Sequence, residues 1–207
     1  MTKRGSLIII SAPSGCGKDT VLKEVFKVAP EIKFSISCTS RPKRCEEDLL
    51  KYEMMSREQF EKLIQIGDLL EYNEYNGNYY GTRKSPVEKW RDEGFDVVLE
   101  IDVNGARNIK KSVPDAVSLF IMPPSFKELQ KRLSGRGTET AEQIKNRLII
   151  AESEIKCANE YDYICVNDDI SECARDIITV IKAQAFTNNK MKNFVQEVEK
   201  DAESFNR

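Results

Sequence analysis

The chain has 207 residues, of which 40% are hydrophobic and 32% charged, with a formal net charge of -2. That length fits one domain with small insertions, and the near-neutral balance gives no bulk attraction to nucleic acid, so an anionic ligand must be met by local arginines. Histidine is absent, which excludes His-based catalytic triads, most catalytic zinc sites and the usual general base.

The first predicted element is a buried strand over residues 7–11, Leu-Ile-Ile-Ile-Ser. Ala12-Pro13-Ser14-Gly15-Cys16-Gly17-Lys18-Asp19-Thr20 follows, and Val21, Leu22, Val25 and Phe26 give helical spacing over 18–28. Strand, small-residue loop and lysine at a helix start form the order a phosphate cradle needs. Backbone N–H groups close around anionic oxygens, the helix end adds partial positive charge, and Lys18 adds a full one. The pattern G-x-x-x-x-G-K-[ST] is broken twice, by Ala12 at the first glycine and by Asp19 at the hydroxyl. Alanine is tolerated there if its φ is negative. Asp19 instead puts a carboxylate where a metal-binding hydroxyl normally lies. Cys16 is expected to be a reactive thiol, its pKa lowered by the helix end and by Lys18.

Further strands are predicted at 34–37, 95–101, 117–122 and 161–166, and further helices at 103–112, 125–134, 141–159 and 171–186. This alternation implies an α/β fold with a parallel sheet and helices on both faces. Capping boxes are expected at Ser56 with Gln59, Ser85 with Glu88 ahead of Pro86, and Ser125 with Glu128, and Gly94 reads as the stop of a helix over 85–93. Residues 34–93 break the alternation as an inserted mixed subdomain, with a hairpin turn at Asn76-Gly77. Residues 134–141 form a small polar stretch that suits a mobile lid, and 187–207 reads as a peripheral helix. No segment approaches transmembrane length, and six cysteines without a C-x-x-C pair read as free thiols of a reducing cytosol.

Three more constellations carry chemistry. At 34–44 a strand ends in hydroxyl residues and delivers Arg41 and Arg44, whose planar forks suit a phosphate. At 71–82, Glu71 could accept two adjacent N–H donors, which guanine offers on N1 and N2 and adenine does not, while tyrosines can bond phosphate or stack on a base. At 97–105 an apolar strand runs into Glu100 and Asp102, acids that either hold a metal or its waters or, for Asp102, simply cap a helix. Arg132, Arg136 and Arg147 flank the expected lid, where they could spread positive charge over a transferring phosphoryl group.

Together these residues resemble guanylate kinase. S-x-P-S-G-x-G-K, S-x-T-x-R-x-x-R-x-x-E, G-N-Y-Y-G, I-D-x-x-G, R-L-x-G-R-G-T-E-T and V-N-D-D occur in the family's order, over nearly the whole chain to about residue 186. The resemblance implies one domain over 1–207, with a core of 1–33, 94–133 and 160–186, a GMP-binding subdomain at 34–93, a lid region at 134–159 and a tail at 187–207. It implies a P-loop enzyme that moves the γ-phosphoryl of MgATP to GMP or dGMP. ATP would be held by Ser14, Gly15, Cys16, Gly17, Lys18, Asp19 and Thr20, with Asn167 and Asp168 by the adenine. Ser37, Glu71 and Thr82 would read guanine, and Arg41, Arg44, Tyr52 and Tyr80 would hold its phosphate. Glu47 would orient the arginines, and Glu100 and Asp102 would complete the GMP site. Lys18, Arg41, Arg132, Arg136 and Arg147 would be catalytic, and Asp19, Thr20 and Asp102 would serve Mg²⁺.

The chain departs from the family at Asp19, at Glu46 in place of a glycine, at Thr82 in place of serine, and in the shortened run before Tyr52. The expected partners are small-molecule nucleotides, without nucleic acid or membrane, for a cytoplasmic monomer or homodimer. Two alternatives stay open: a catalytically inactive guanylate-kinase-like binding module, and a P-loop kinase for another small phosphorylated acceptor.

Overall fold

The computed structural model describes residues 4–43, 46, 52–135 and 140–205. The assignments of Arg44, Glu47 and Arg136 therefore lie outside the described residues. Strands β1 (Leu7–Ser11), β2 (Lys33–Ser35), β7 (Val97–Glu100), β8 (Val117–Met122) and β9 (Tyr163–Val166) form one sheet in the order β2-β7-β1-β8-β9. Every pairing in it is parallel. The second sheet, ordered β4-β3-β6-β5, is mixed and comprises β3 (Ser37–Thr39), β4 (Tyr52–Met54), β5 (Leu69–Tyr75) and β6 (Asn78–Arg83).

The central strand shows why the parallel sheet forms. All five residues of β1 are buried, and their side chains alternate between the two faces. Ile8 and Ile10 pack into one core with Val21, Leu22 and Val25 of α1 (Lys18–Val28), Leu129 and Leu133 of α5 (Phe126–Ser134), and Ile177 and Ile181 of α7 (Ile170–Ala183). Leu7 and Ile9 pack into a second core with Val87 of α3 (Lys84–Asp92) and Ala106 and Ile109 of α4 (Val103–Ser112). Each such fully buried aliphatic side chain contributes about 1.5–3 kcal/mol. The strand is thereby clamped from both sides, and the loop at its end is held in place.

The strand predicted over 34–37 is divided. Lys33–Ser35 pairs with β7 in the parallel sheet, Ile36 intervenes, and Ser37–Thr39 pairs with β4 and β6 in the mixed sheet. One apolar run thus leaves one sheet and enters the other. The Asn76-Gly77 hairpin forms as expected: both residues have positive φ, 48° and 72°, and Tyr75 faces Asn78 across the β5–β6 ladder.

Caps explain several helix ends. Ser56 and Gln59 make the full reciprocal box at the start of α2 (Arg57–Gln65). Ser125 accepts the Glu128 N–H, while the Glu128 carboxylate turns to Arg132 rather than back to the cap. Ser85 is not a cap. The helix starts one residue earlier, and Ser85 gives its Oγ–H and backbone N–H to Asp68, at 2.9 and 2.7 Å. A box that sequence reasoning missed, Thr140 with Gln143, opens α6 (Ala141–Lys156). The expected tail helix is α8 (Asn188–Phe205). Among the described residues no helix is long and apolar enough to cross a membrane.

Candidate functional site

The loop after β1 is shaped by two glycines. Gly15 and Gly17 have φ of 86° and 91°, a region side chains disfavour, and a Cβ on Gly15 would stand 2.4 Å from the Leu133 side chain. Ala12 needs no such freedom, since Asn76 is the sole non-glycine residue with positive φ among those described. Gly17 is the N-cap of α1 and, having no side chain, cannot cap its first N–H groups itself, which leaves the helix start shaped for an anion. Residues 12–20, Ile101, Asp102, Arg147 and Glu154 line a cavity of about 520 Å³.

The loop is fastened from behind and from above. Asn167, buried after β9, donates its amide to the Cys16 carbonyl at 2.7 Å. Arg132 donates to the Asn167 carbonyl at 3.0 Å and to the Cys16 carbonyl at 3.4 Å, so its guanidinium braces the loop's back wall. Helix α6 reaches the same loop with two side chains: Arg147 donates Nε–H to Ser14 Oγ at 3.0 Å, and Glu154 accepts the Ser14 backbone N–H at 2.8 Å. Burial pushes the Glu154 carboxyl above its ordinary range, with Lys18 pulling the other way. Sequence reasoning missed Glu154. Its signal is the spacing Arg147, Ala151 and Glu154, one face of the helix on which Ala151 is buried.

Cys16 is a correction. Its thiol is 1% exposed and faces the Ile121 carbonyl, and burial pushes its pKa up to about 12, outweighing the pull of Arg132 and Lys18. It is packed as a core side chain and is not the reactive thiol expected from its neighbours.

Lys18 meets Glu100 at 2.9 Å, where β7 ends beside β1. Asp102, two residues on, caps α4 by accepting the Gly105 N–H at 2.7 Å. The helix-cap reading thus holds for one oxygen of Asp102, while its side chain still lines the phosphate-loop cavity. Asp19 and Thr20, both exposed, line that cavity as well, and Asp168 is exposed beside Asn167.

A second cavity, of about 280 Å³, lies between the two sheets and includes Ser37, Tyr52, Glu71, Tyr80, Glu100 and Asp102 in its wall. Asn73, Tyr75 and Gly105, to which no role was given, line it too. The β5–β6 register puts Glu71 opposite Thr82, whose hydroxyl donates to Glu71 at 2.9 Å. Burial, assisted by Asp102, raises the Glu71 carboxyl to about 7 against the pull of Thr82. Tyr52 lies edge-on to Tyr80 at 6.0 Å between ring centres, and the buried Arg41 holds its guanidinium 5.6 Å from the Tyr52 ring centre. Ile101 and Asp102 belong to the walls of both cavities. One chamber bears an anion cradle, the other the half-buried Glu71 carboxylate with aromatic walls, and they share Ile101 and Asp102 just past the end of β7.

The family model described as guanylate kinase matches residues 4–184. The chain belongs to the guanylate kinase family. A guanylate kinase of Streptococcus pneumoniae is 46% identical over 200 residues, covering 96% of both chains. A guanylate kinase of Streptococcus agalactiae is 46% identical over 207 residues, covering 97% of this chain and 99% of the relative. One from Clostridioides difficile is 40% identical over 196 residues, with 94% and 96% covered. The crystal structure of guanylate kinase from Anaplasma phagocytophilum superposes with a TM-score of 0.71 at 32% identity, over 90% of this chain and 89% of that one. The parallel core, the mixed sheet and the phosphate loop are thus a guanylate kinase architecture.

Proposed function

We propose that the chain transfers the γ-phosphoryl group of ATP to GMP, and to dGMP, giving ADP and a guanosine diphosphate. The observation that carries this is the shared wall of the two cavities at Ile101 and Asp102. A donor phosphate in the first chamber and an acceptor phosphate in the second would face each other there. Residues 14–20 and the start of α1 hold the ATP phosphates by backbone N–H groups, and Lys18 exchanges Glu100 for phosphate oxygens. Asn167 and Arg132 keep the loop open from behind, and Asp168 lies toward the adenine. Ser37, Glu71 and Thr82 read guanine, with the Glu71 carboxylate accepting N1–H and N2–H. Arg41, Tyr52 and Tyr80 hold the acceptor phosphate, with Arg44 and Glu47 adjoining. Glu100 and Asp102 border it.

The acceptor oxygen is already anionic, so no general base is needed. Catalysis is alignment plus charge neutralisation by Lys18, Arg41, Arg136 and Arg147. Mg²⁺ fits the donor set: Asp19, Thr20 and Asp102 offer hard oxygens on one cavity wall. Mg²⁺ is commonly held by one or two protein oxygens together with substrate phosphates and water. Those three residues would hold it or its waters, and it would neutralise charge on the transferring phosphates. A cytoplasmic location accords with this substrate pair.

A coupled ADP-release assay across GMP, dGMP, AMP, UMP and CMP tests the reading. Turnover is expected with the two guanine nucleotides and at least about 10²-fold less kcat/KM with the others, because a buried carboxylate left without its donors is costly. Comparable turnover with another acceptor would replace guanine with that base. Absence of turnover with all five would favour the binding module.

A further inference from the structure

Ser14 stands at the entrance of the phosphate loop and is gripped twice by α6 (Ala141–Lys156). Pro13 has no N–H, so the Ser14 N–H is the first donor of the loop past Ala12, and Glu154 accepts it at 2.8 Å. The Ser14 hydroxyl accepts from Arg147 Nε at 3.0 Å. The helix that delivers both side chains is itself fixed. Ile144, Leu148, Ala151 and Ile155, at intervals of four, three and four, pack on the core that also holds Cys16 and Leu133. Leu133 in turn fills the space where a side chain on Gly15 would stand. Arg147 and Glu154 lie beside that apolar stripe, two turns apart on one face. A carboxylate on the wall of an anion cavity opposes its ligand by charge, so what Glu154 offers an incoming phosphate is geometry.

We propose, on the reading that the phosphate-loop cavity holds ATP and whatever acceptor fills the other, that Glu154 is a positioning residue acting through Ser14. Its oxygen pins the Ser14 N–H, so the loop's donors for phosphate lie beyond Ser14, in the shape that Gly15 and Gly17 set. The same anchor keeps the Ser14 hydroxyl against Arg147, and one carboxylate thereby places both the cradle and the guanidinium beside it. The contact depends on reach: an acceptor oxygen must arrive at the Ser14 N–H, and a shorter side chain on the same turn of α6 falls short of it. Of the two cavities Glu154 lines the phosphate-loop one, so its loss falls on ATP and spares GMP.

Titration calorimetry of the full chain with MgADP, beside steady-state kinetics and melting curves, is the test. Glu154→Ala is expected to weaken MgADP about tenfold and to raise KM for ATP by a similar factor, while KM for GMP stays within about a factor of two. Glu154→Gln keeps an acceptor oxygen at the same reach and sheds the opposing charge, so it is expected to bind MgADP at least as tightly as the wild-type chain. Glu154→Asp keeps the charge but is one methylene short, and it is expected to follow the alanine variant. Wild-type MgADP affinity in Glu154→Ala would overturn the proposal. So would an aspartate variant that binds like wild type beside a glutamine variant that does not, since charge would then be what Glu154 supplies. Equal losses for ATP and GMP with a lowered melting temperature would reduce Glu154 to a residue of the fold. A wild-type chain without affinity for MgADP would overturn the phosphate-loop reading and this proposal with it, whereas failure of GMP as acceptor leaves the MgADP titration decisive.

Discussion

Lys18→Ala is expected to lower kcat by about 10³-fold or more, while thermal unfolding changes little. The loss follows from removing the lysine charge of the phosphate loop itself, at a site where charge neutralisation stands in for acid–base chemistry. The fold is spared because Lys18 contributes to it mainly through its pair with Glu100. Both side chains are partly exposed, at 21% and 26%, and such a pair is worth about 1 kcal/mol at most. Single-turnover measurement at saturating ATP and GMP, beside a melting curve, separates the two effects. Near-normal turnover would remove Lys18 from the transferring group.

Glu71→Gln is expected to cost about 10²-fold in kcat/KM for GMP and to leave KM for ATP within a factor of two. A charge-assisted acceptor of two N–H donors is replaced by an amide that can accept only one and turns a donor against the other, a difference of about 3 kcal/mol. The pH dependence makes the assignment specific. Burial holds the Glu71 carboxyl up at about 7, and GMP needs it ionised, so KM for GMP should climb below that pH in the wild-type chain. The glutamine variant should lack that limb. Stability moves in the opposite sense. A carboxyl raised above its ordinary value of 4.5 favours the folded chain while protonated, and that advantage is lost as pH rises toward 7. The unliganded variant should therefore gain melting temperature over wild type across this interval and keep the gain above it. A GMP KM flat with pH in the wild-type chain would detach Glu71 from the base.

Much of this architecture is legible in the chain because local chemistry and tertiary placement agree. The apolar run 7–11, the glycines at 15 and 17 and the Asn76-Gly77 turn each have a local cause that the structure satisfies. The misreadings share a different cause. Whether Ser85 caps a helix depended on Asp68, a residue distant in sequence that holds both its N–H and its hydroxyl. The chemistry of Cys16 depended on burial against Ile121, which neighbours in the loop do not disclose. The apolar strand over 34–37 carries no mark at Ile36 that it divides between two sheets. Glu154 was missed because a half-buried acid on an amphipathic helix looks solvated until the helix is laid against the phosphate loop. For Arg132 the spacing from Arg136 discloses none of its partners, the Cys16 and Asn167 carbonyls behind the loop and the Glu128 carboxylate.

The central claim is that the phosphate-loop chamber and the Glu71 chamber are two ends of one reaction site, joined at Ile101 and Asp102. Titration calorimetry with adenosine and guanosine linked through a pentaphosphate measures this directly, because one molecule can fill both chambers only if they are continuous. One ligand per chain is expected, bound about 10²-fold more tightly than ADP or GMP alone, with that gain lost in either Lys18→Ala or Glu71→Gln. Two ligands per chain, or an affinity no better than that of the separate nucleotides, would contradict it.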